Sequence, residues 1–441
     1  MVLAVRTPGV SRGSPPTCLR RRTLADSGIG GFPYHPRMPP AVAPQESETV
    51  PLPERLTPLR EELISAAVMV SQIPGHSGSE EERGRWLLDR LIAQDIADAA
   101  PDAFGNAVAR LPGRTGERTL MVVAHLDTII PLDEDHNVTV LPDRLIGPGI
   151  SDNSLAVAAV AMLPRCLEQA GVRLDSDLIL VGSVKSLARN NHEGLGSLLD
   201  AFRDGHHAGG AIEPEAALCL EGIDQGRLNY FCIGTLRGDI TCDVTPTAVT
   251  RSYGSESAVV VLHQIIAKML GIELPQQPFT RIAINRLRAG VAYDTDPLHA
   301  ELSFEATSHD DAMLDRVHRE IRDIVMEIGA RNAVATELDV FFRRRAGGLP
   351  FSHPLVKAAH DVMLELGIQP ERGHSPSELS EFLSRQIPAL TLGISTGSKN
   401  QRKPDFVRVE PLLRGMAQVV AVLQAIDGGV RQPESTGEAV A

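Results

Sequence analysis

The chain has no stretch approaching the roughly 18–20 consecutive apolar residues of a membrane span; its longest helix-like apolar run, Ala156–Leu163, is far too short. Cysteine is scarce: five among 441 residues (Cys18, Cys166, Cys219, Cys232, Cys242), an odd number without C-x-x-C spacing. That usage fits neither a disulfide framework nor a zinc ribbon, and it leads us to expect a reducing, cytoplasmic setting. An excess of basic charge is also missing, since 43 Lys+Arg stand against 56 Asp+Glu for a formal charge of −13. Such a surface does not follow phosphate backbones or anionic bilayers, so neither nucleic acid nor a membrane is an expected partner. The loop Gly147-Pro148-Gly149 lacks both the Lys of a P-loop and the third Gly of a dinucleotide fingerprint, which disfavours nucleotide chemistry.

What the chain does have is 43% hydrophobic residues, enough to bury a large core in two or three domains. Residues 1–50 are rich in Pro, Gly and Arg, with Arg20–Arg22 in tandem but no apolar segment after them, so no export signal is complete. We expect this segment to be a disordered extension, or one preceding a true start at Met38. Thr57-Pro58 and Ser79 with Glu82 read as helix starts, the latter as a capping box. Strand-length apolar runs follow at Thr119–Ala124, Asp177–Val184 and Ala216–Leu220, separated by helical stretches such as Asn153–Ala170. This alternation predicts an α/β sheet with helices on both faces.

Near Gly238 the pattern becomes strand 239–244, helix 255–270, strands 281–292 and 299–306, helix 311–328 and strand 333–342. The order β-α-β-β-α-β is ferredoxin-like. Helical periodicity resumes at Pro354 and ends with Pro411–Ile426. One α/β domain (51–237 and 347–428) interrupted by a smaller insertion (238–346), with a tail at 429–441, is the expected organisation.

Four segments bring chemistry to the ends of these strands. Ala124-His125-Leu126-Asp127-Thr128 directly follows an apolar run, and the carboxyl end of a strand is where ligands bind in an α/β sheet. His125 and Asp127, two apart on an extended segment, point the same way, and a carboxylate beside a metal-ligating His can orient its ring. Gly147-Pro148-Gly149-Ile150-Ser151-Asp152-Asn153-Ser154 forms a tight loop whose Asp152 is either a helix cap or a carboxylate offered to metal. Glu193, in Asn191-His192-Glu193-Gly194-Leu195-Gly196, and Glu221, in Leu220-Glu221-Gly222, each follow a strand by a few residues. One imidazole and three carboxylates on a common rim repel unless cations lie among them, which suits a hard or borderline divalent ion.

Taken in order, A-H-L-D-T, G-P-G-x-x-D-N and E-G-L-G resemble the co-catalytic zinc peptidases of the aminoacylase, carboxypeptidase G and peptidase T type. The resemblance runs from about Thr57 to Asp427 and includes Ile387–Gly397. It implies a zinc-peptidase-like α/β sandwich with an inserted ferredoxin-like lid that pairs two copies into a homodimer. It also implies that Asp152 bridges two zinc ions, that His125 and Glu221 complete one site, that Glu193 serves the other, and that Asp127 holds the His125 ring. The implied activity is hydrolysis of amide bonds in small peptides or N-acyl amino acids.

Three positions depart from that pattern. His192 stands where the family has a catalytic Glu, and a His can act as general base near neutral pH. Gln401 falls at or near the last metal-ligating His, with Lys399 and Arg402 beside it; an amide oxygen is a far weaker zinc ligand than imidazole. Val249 takes the place of a lid His that assists the oxyanion, and Asp294 and Thr307 replace substrate-contacting Asn and Arg. A non-catalytic metal- or ligand-binding protein on the same scaffold is therefore the alternative. Ser377-Glu378 and His353-Pro354 read as helix starts, His374 as a loop residue, and His206-His207 as solvated.

Overall fold

A computed structural model describes residues 50–187, 189, 191–206, 210–245, 257–293, 295–374, 377–399 and 405–430. Its centre is a nine-stranded mixed sheet. Strands Asp177–Ser183, Thr119–His125, Ala216–Glu221 and Ala389–Gly393 lie side by side and parallel, flanked by antiparallel neighbours Ala107–Leu111 and Arg227–Cys232. The apolar runs are continuous because both sheet faces are covered. Leu120, Val122 and Ala124 pack into one hydrophobic core, while the alternate Met121 and Val123 pack into another on the opposite side. The first core is closed by helices Arg60–Ser71, Leu155–Ala170, Pro354–Glu365 and Leu412–Ile426, the second by Glu193–Arg203 and Leu379–Ser384. Because the central strands run parallel, His125, Ser183 and Glu221 all end on one rim.

A second sheet is antiparallel and four-stranded, in the order Thr280–Ala289, His299–Ser308, Gly234–Asp243, Ala335–Arg344. Helices Ala258–Leu270 and Asp311–Asn332 cover one face, and Leu236, Ile240, Leu302, Phe304 and Ala306 alternate into a separate core there. The opposite face carries charged side chains such as Arg237 and Glu305, which pair at 2.7 Å. The β-α-β-β-α-β order is as expected, with the first strand starting at Gly234 rather than near Gly238. A third, small sheet joins Gly397–Ser398, Phe406–Arg408, Arg144–Ile146 and Thr139–Val140.

Helix starts meet expectation at His353 and depart from it at Thr57, which lies within a short 3-10 turn, Thr57–Leu59, and not at a cap. His353 caps Pro354–Glu365, its Nδ1 accepting from the Leu355 N–H at 3.2 Å. The capping box is a correction: helix Glu81–Ile92 has Glu80, not Ser79, at its N-cap. The Glu80 carboxylate instead accepts from the backbone N–H groups of Gly78 and Lys185.

Candidate metal centre

His125, at the last position of its strand, is buried, and its Nδ1 lies 2.9 Å from the Asp127 backbone carbonyl. Donation from Nδ1 to that oxygen turns Nε2 toward the rim. There it stands 3.3 Å from Asp152 Oδ1. One ligand atom from each of His125, Asp152 and Glu221 lies within 4.8 Å of the others, the single such group of three or more among the described residues. A cation about 2.0–2.2 Å from nitrogen and oxygen ligands can be reached by all three.

The Asp127 carboxylate sits behind the His125 ring, with Oδ1 3.4 Å from Nδ1. Its Oδ2 is fixed by the Ser77 hydroxyl at 2.6 Å and the Leu187 N–H at 2.8 Å. Burial opposes the charged form, but these bonds and the neighbouring imidazole hold the Asp127 carboxyl below its ordinary range.

Loop 149–154 places Asp152. Gly149, at φ 68°, makes the left-handed turn that favours glycine, and the Asp152–Asn153 peptide is cis. Asn153 then ties the loop to the Glu221 strand: its amide donates to the Leu220 carbonyl at 2.8 Å and accepts from the Gly222 N–H at 2.9 Å. Gly222 has no room for a side chain, since a Cβ there would meet the Ser151 carbonyl at 2.7 Å. From beneath, the buried Arg83 guanidinium donates to the Val70 and Ile73 carbonyls and to Ser154 Oγ, binding the loop to the first long helix. Its pKa is lowered to about 10 by burial.

Charges on the rim are unequally met. Burial, with Asp152 close by, pushes the Glu221 carboxyl up to about 7, against the pull of His125 and of Arg227 at 3.9 Å. For Asp152 burial works the same way but loses to His125 and Lys399, and its carboxyl lies well below the usual range. Lys399 pairs directly with Asp152 Oδ2.

The remaining expected residues divide. Asn191 and His192 take φ of 54° and 58°, turning the chain into helix Glu193–Arg203 so that His192 is buried against the cleft. Glu193, one residue on, is exposed and does not join the centre. Its side chain differs in direction from that of buried His192, as neighbouring residues at a helix start do. Gln401, Val249, Asp294, Arg402 and His207 lie outside the described residues. His374 ends a short strand and lines the cleft instead of sitting in a loop.

Sequence reasoning missed Glu378. This fully buried carboxylate lies 3.7 Å from His192 Nδ1 and 3.5 Å from Ser183 Oγ. Burial would raise its pKa, yet hydrogen bonding to His192 and the charges of His125 and His192 bring it down to about 2. The signal available was an acid beside the apolar run Ile387–Ile394, but a helix-start reading explained it equally well. The cleft these groups line has a volume of about 730 Å³ and also presents Arg227, Arg237, Arg344 and Arg372.

The profile of peptidase family M28 matches residues 106–183, the span from Asn106 through His125 and Asp152. No curated protein matches the chain in sequence. Among solved structures it is similar to aminopeptidase PepT of Bacillus cereus, with TM-score 0.66 and 16% identity over 83% of this chain and 98% of that one. A Staphylococcus aureus tripeptidase superposes with TM-score 0.68 and 18% identity over 84% and 99%. A dinuclear metal-binding peptidase of the M20 family from Bacillus subtilis gives TM-score 0.59 and 14% identity over 85% and 100%. At such identities the likeness is one of fold alone: a mixed α/β sheet with a smaller, helix-covered antiparallel sheet beside it.

Proposed function

We propose that the protein is a metal-dependent hydrolase of amide bonds in small peptides or N-acyl amino acids. The observation that carries this reading is the convergence of His125, Asp152 and Glu221, drawn from two strand ends and a glycine-bounded loop, with Asp127 orienting the imidazole. The residues fit a divalent ion: one imidazole and two carboxylates suit a borderline cation such as zinc. When bound, such an ion supplies Lewis-acid polarisation of a carbonyl and acidifies water.

The chain's own residues supply the rest. Asp127 keeps the His125 proton on Nδ1, leaving Nε2 free to ligate. His192 takes the proton of the attacking water at Nε2, and Glu378 beside Nδ1 stabilises the imidazolium that results. Asn153 holds Asp152 and Glu221 in a fixed relation through both turnover halves. The inserted domain, 238–346, serves as a lid and pairs two copies into a dimer. Cys166, Cys219, Cys232 and Cys242 are unpaired and buried, in keeping with a reducing cytoplasmic location.

A second reading, a binding protein without turnover, is favoured by one observation: Lys399 already neutralises the outer oxygen of Asp152. Elemental analysis of purified protein, beside turnover of a panel of dipeptides and N-acyl amino acids, separates the two. Bound ion with hydrolysis supports the enzyme; bound ion with no turnover of any member supports the binder.

A further inference from the structure

We infer that Lys399 fills the second cation position of this centre, so that the chain holds one divalent ion where the Bacillus subtilis peptidase of the same fold binds two. The inference rests on the hydrolase reading for its first ion and departs from it on the number.

A carboxylate bridges two ions by giving one oxygen to each. Here Asp152 Oδ1 faces His125 Nε2 at 3.3 Å, while Oδ2 accepts a hydrogen bond from the Lys399 ammonium. That oxygen already has its cation, and a divalent ion beside it would stand against a fixed like charge.

The pairing is built into the fold. Asp152 lies on the loop that leaves strand Arg144–Ile146, and Lys399 follows strand Gly397–Ser398 of the same small sheet. Phe406–Arg408 lies between these two strands, pairing Ser398 with Phe406 and Phe406 with Ile146. The Gly147 N–H donates to the Asp405 carbonyl at 3.0 Å, fastening the Asp152 loop to that strand's leading end. Gly397 packs so closely that a Cβ would meet the Phe406 carbonyl at 2.2 Å, which fixes where the next residues emerge. Lys399 thus reaches Asp152 from a braced position.

Nor do other described residues offer ligands for a second ion. Glu193 is exposed, His192 is engaged by Glu378, and His125, Asp152 and Glu221 form the one acid–imidazole group of ligating geometry among the described residues. An ammonium supplies one charge and three hydrogen-bond donors but is no Lewis acid. Lys399 therefore acts as an electrostatic and donor group at the place where a second ion would polarise substrate.

The test is ion counting on the full chain. Chelator-treated protein is titrated with zinc, freed of excess by gel filtration and measured by elemental analysis, with affinity from calorimetry. Wild type should retain one ion per chain and H125A none. Removing the competing charge in K399M should tighten the single site about tenfold, whereas K399R should match wild type. The Lys399 side chain is half-exposed, so neither substitution threatens folding. Two ions in wild type, or K399M affinity within twofold of wild type, overturns the inference and leaves the hydrolase reading standing. No ion in wild type, or one retained by H125A, overturns both.

Discussion

The two sides of Asp152 are balanced by different means. Inward, Oδ1 shares a buried rim with His125 and Glu221, where Arg227 stands 3.9 Å from Glu221 and is also bonded to Asp224. Outward, Oδ2 meets Lys399 directly. The inner side is built from strand ends of a sheet buried on both faces, and the outer side from a short sheet that carries Lys399. One motif residue therefore belongs to two regions with different requirements. Only the inner one keeps a set of carboxylates in need of a cation.

The sharpest way to break that contrast is D152N, which removes charge from both sides at once. Ion affinity should fall by at least about 10³, and turnover with it, because a neutral amide oxygen is a poor ligand; equilibrium dialysis with zinc measures the first. If D152N bound ion as wild type does, the inner side would not be the metal side.

Next comes the pair beyond the rim. H192A should lower kcat by about 10²–10³ with ion affinity unchanged, as expected for loss of a general base. E378Q should have a smaller kinetic effect, about tenfold, and a stability signature of its own. The Glu378 carboxyl is depressed from 4.5 to about 2. Its contribution is therefore fully present above about pH 4.5 and lost as pH falls toward 2. Denaturant unfolding should find E378Q weaker than wild type by roughly 3 kcal/mol at pH 7, a gap that closes through the acid range. A gap independent of pH would show that Glu378 stabilises by packing alone.

N153A sharpens the comparison from within the inner side. It leaves the Leu220 carbonyl and Gly222 N–H without their partner. Each buried orphan costs about 1–3 kcal/mol. Stability should drop by roughly 2 kcal/mol and ion affinity about tenfold, through the spacing of Asp152 and Glu221 and not through any lost ligand.

The same division governs how much the sequence disclosed. The strands ending at His125 and Glu221 and the loop to Asp152 were legible because each is a continuous apolar run or glycine turn with a polar residue at its end, and parallel topology brings such ends to one rim. The second sheet was legible from its alternation and its two amphipathic helices. Glu378 was not, because a buried acid before a short helix has the same local signature as an ordinary cap. Lys399 was visible as a nearby charge, but its partner depends on a two-residue strand pairing that no periodicity marks. Where long elements position a side chain, pattern suffices; where a turn or a short pairing does so, the side chain's direction is decided by tertiary contacts.

Glu193 is the mildest and most discriminating case. By order along the chain it belongs with the metal residues, two positions after Asn191 and at the head of a helix. By direction it belongs to solvent, for it is exposed while His192 before it and Gly194 after it are buried. An exposed carboxylate in the first turn of a helix is favoured by the macrodipole by about 0.3–1 kcal/mol, which accounts for its presence without a metal. E193Q should accordingly leave zinc stoichiometry unchanged and ion affinity within twofold, with stability lowered by less than about 1 kcal/mol. A tenfold loss of affinity in E193Q would mean that this turn swings inward when ion binds, and the outer side of Asp152 would then need to be redrawn as a second metal site.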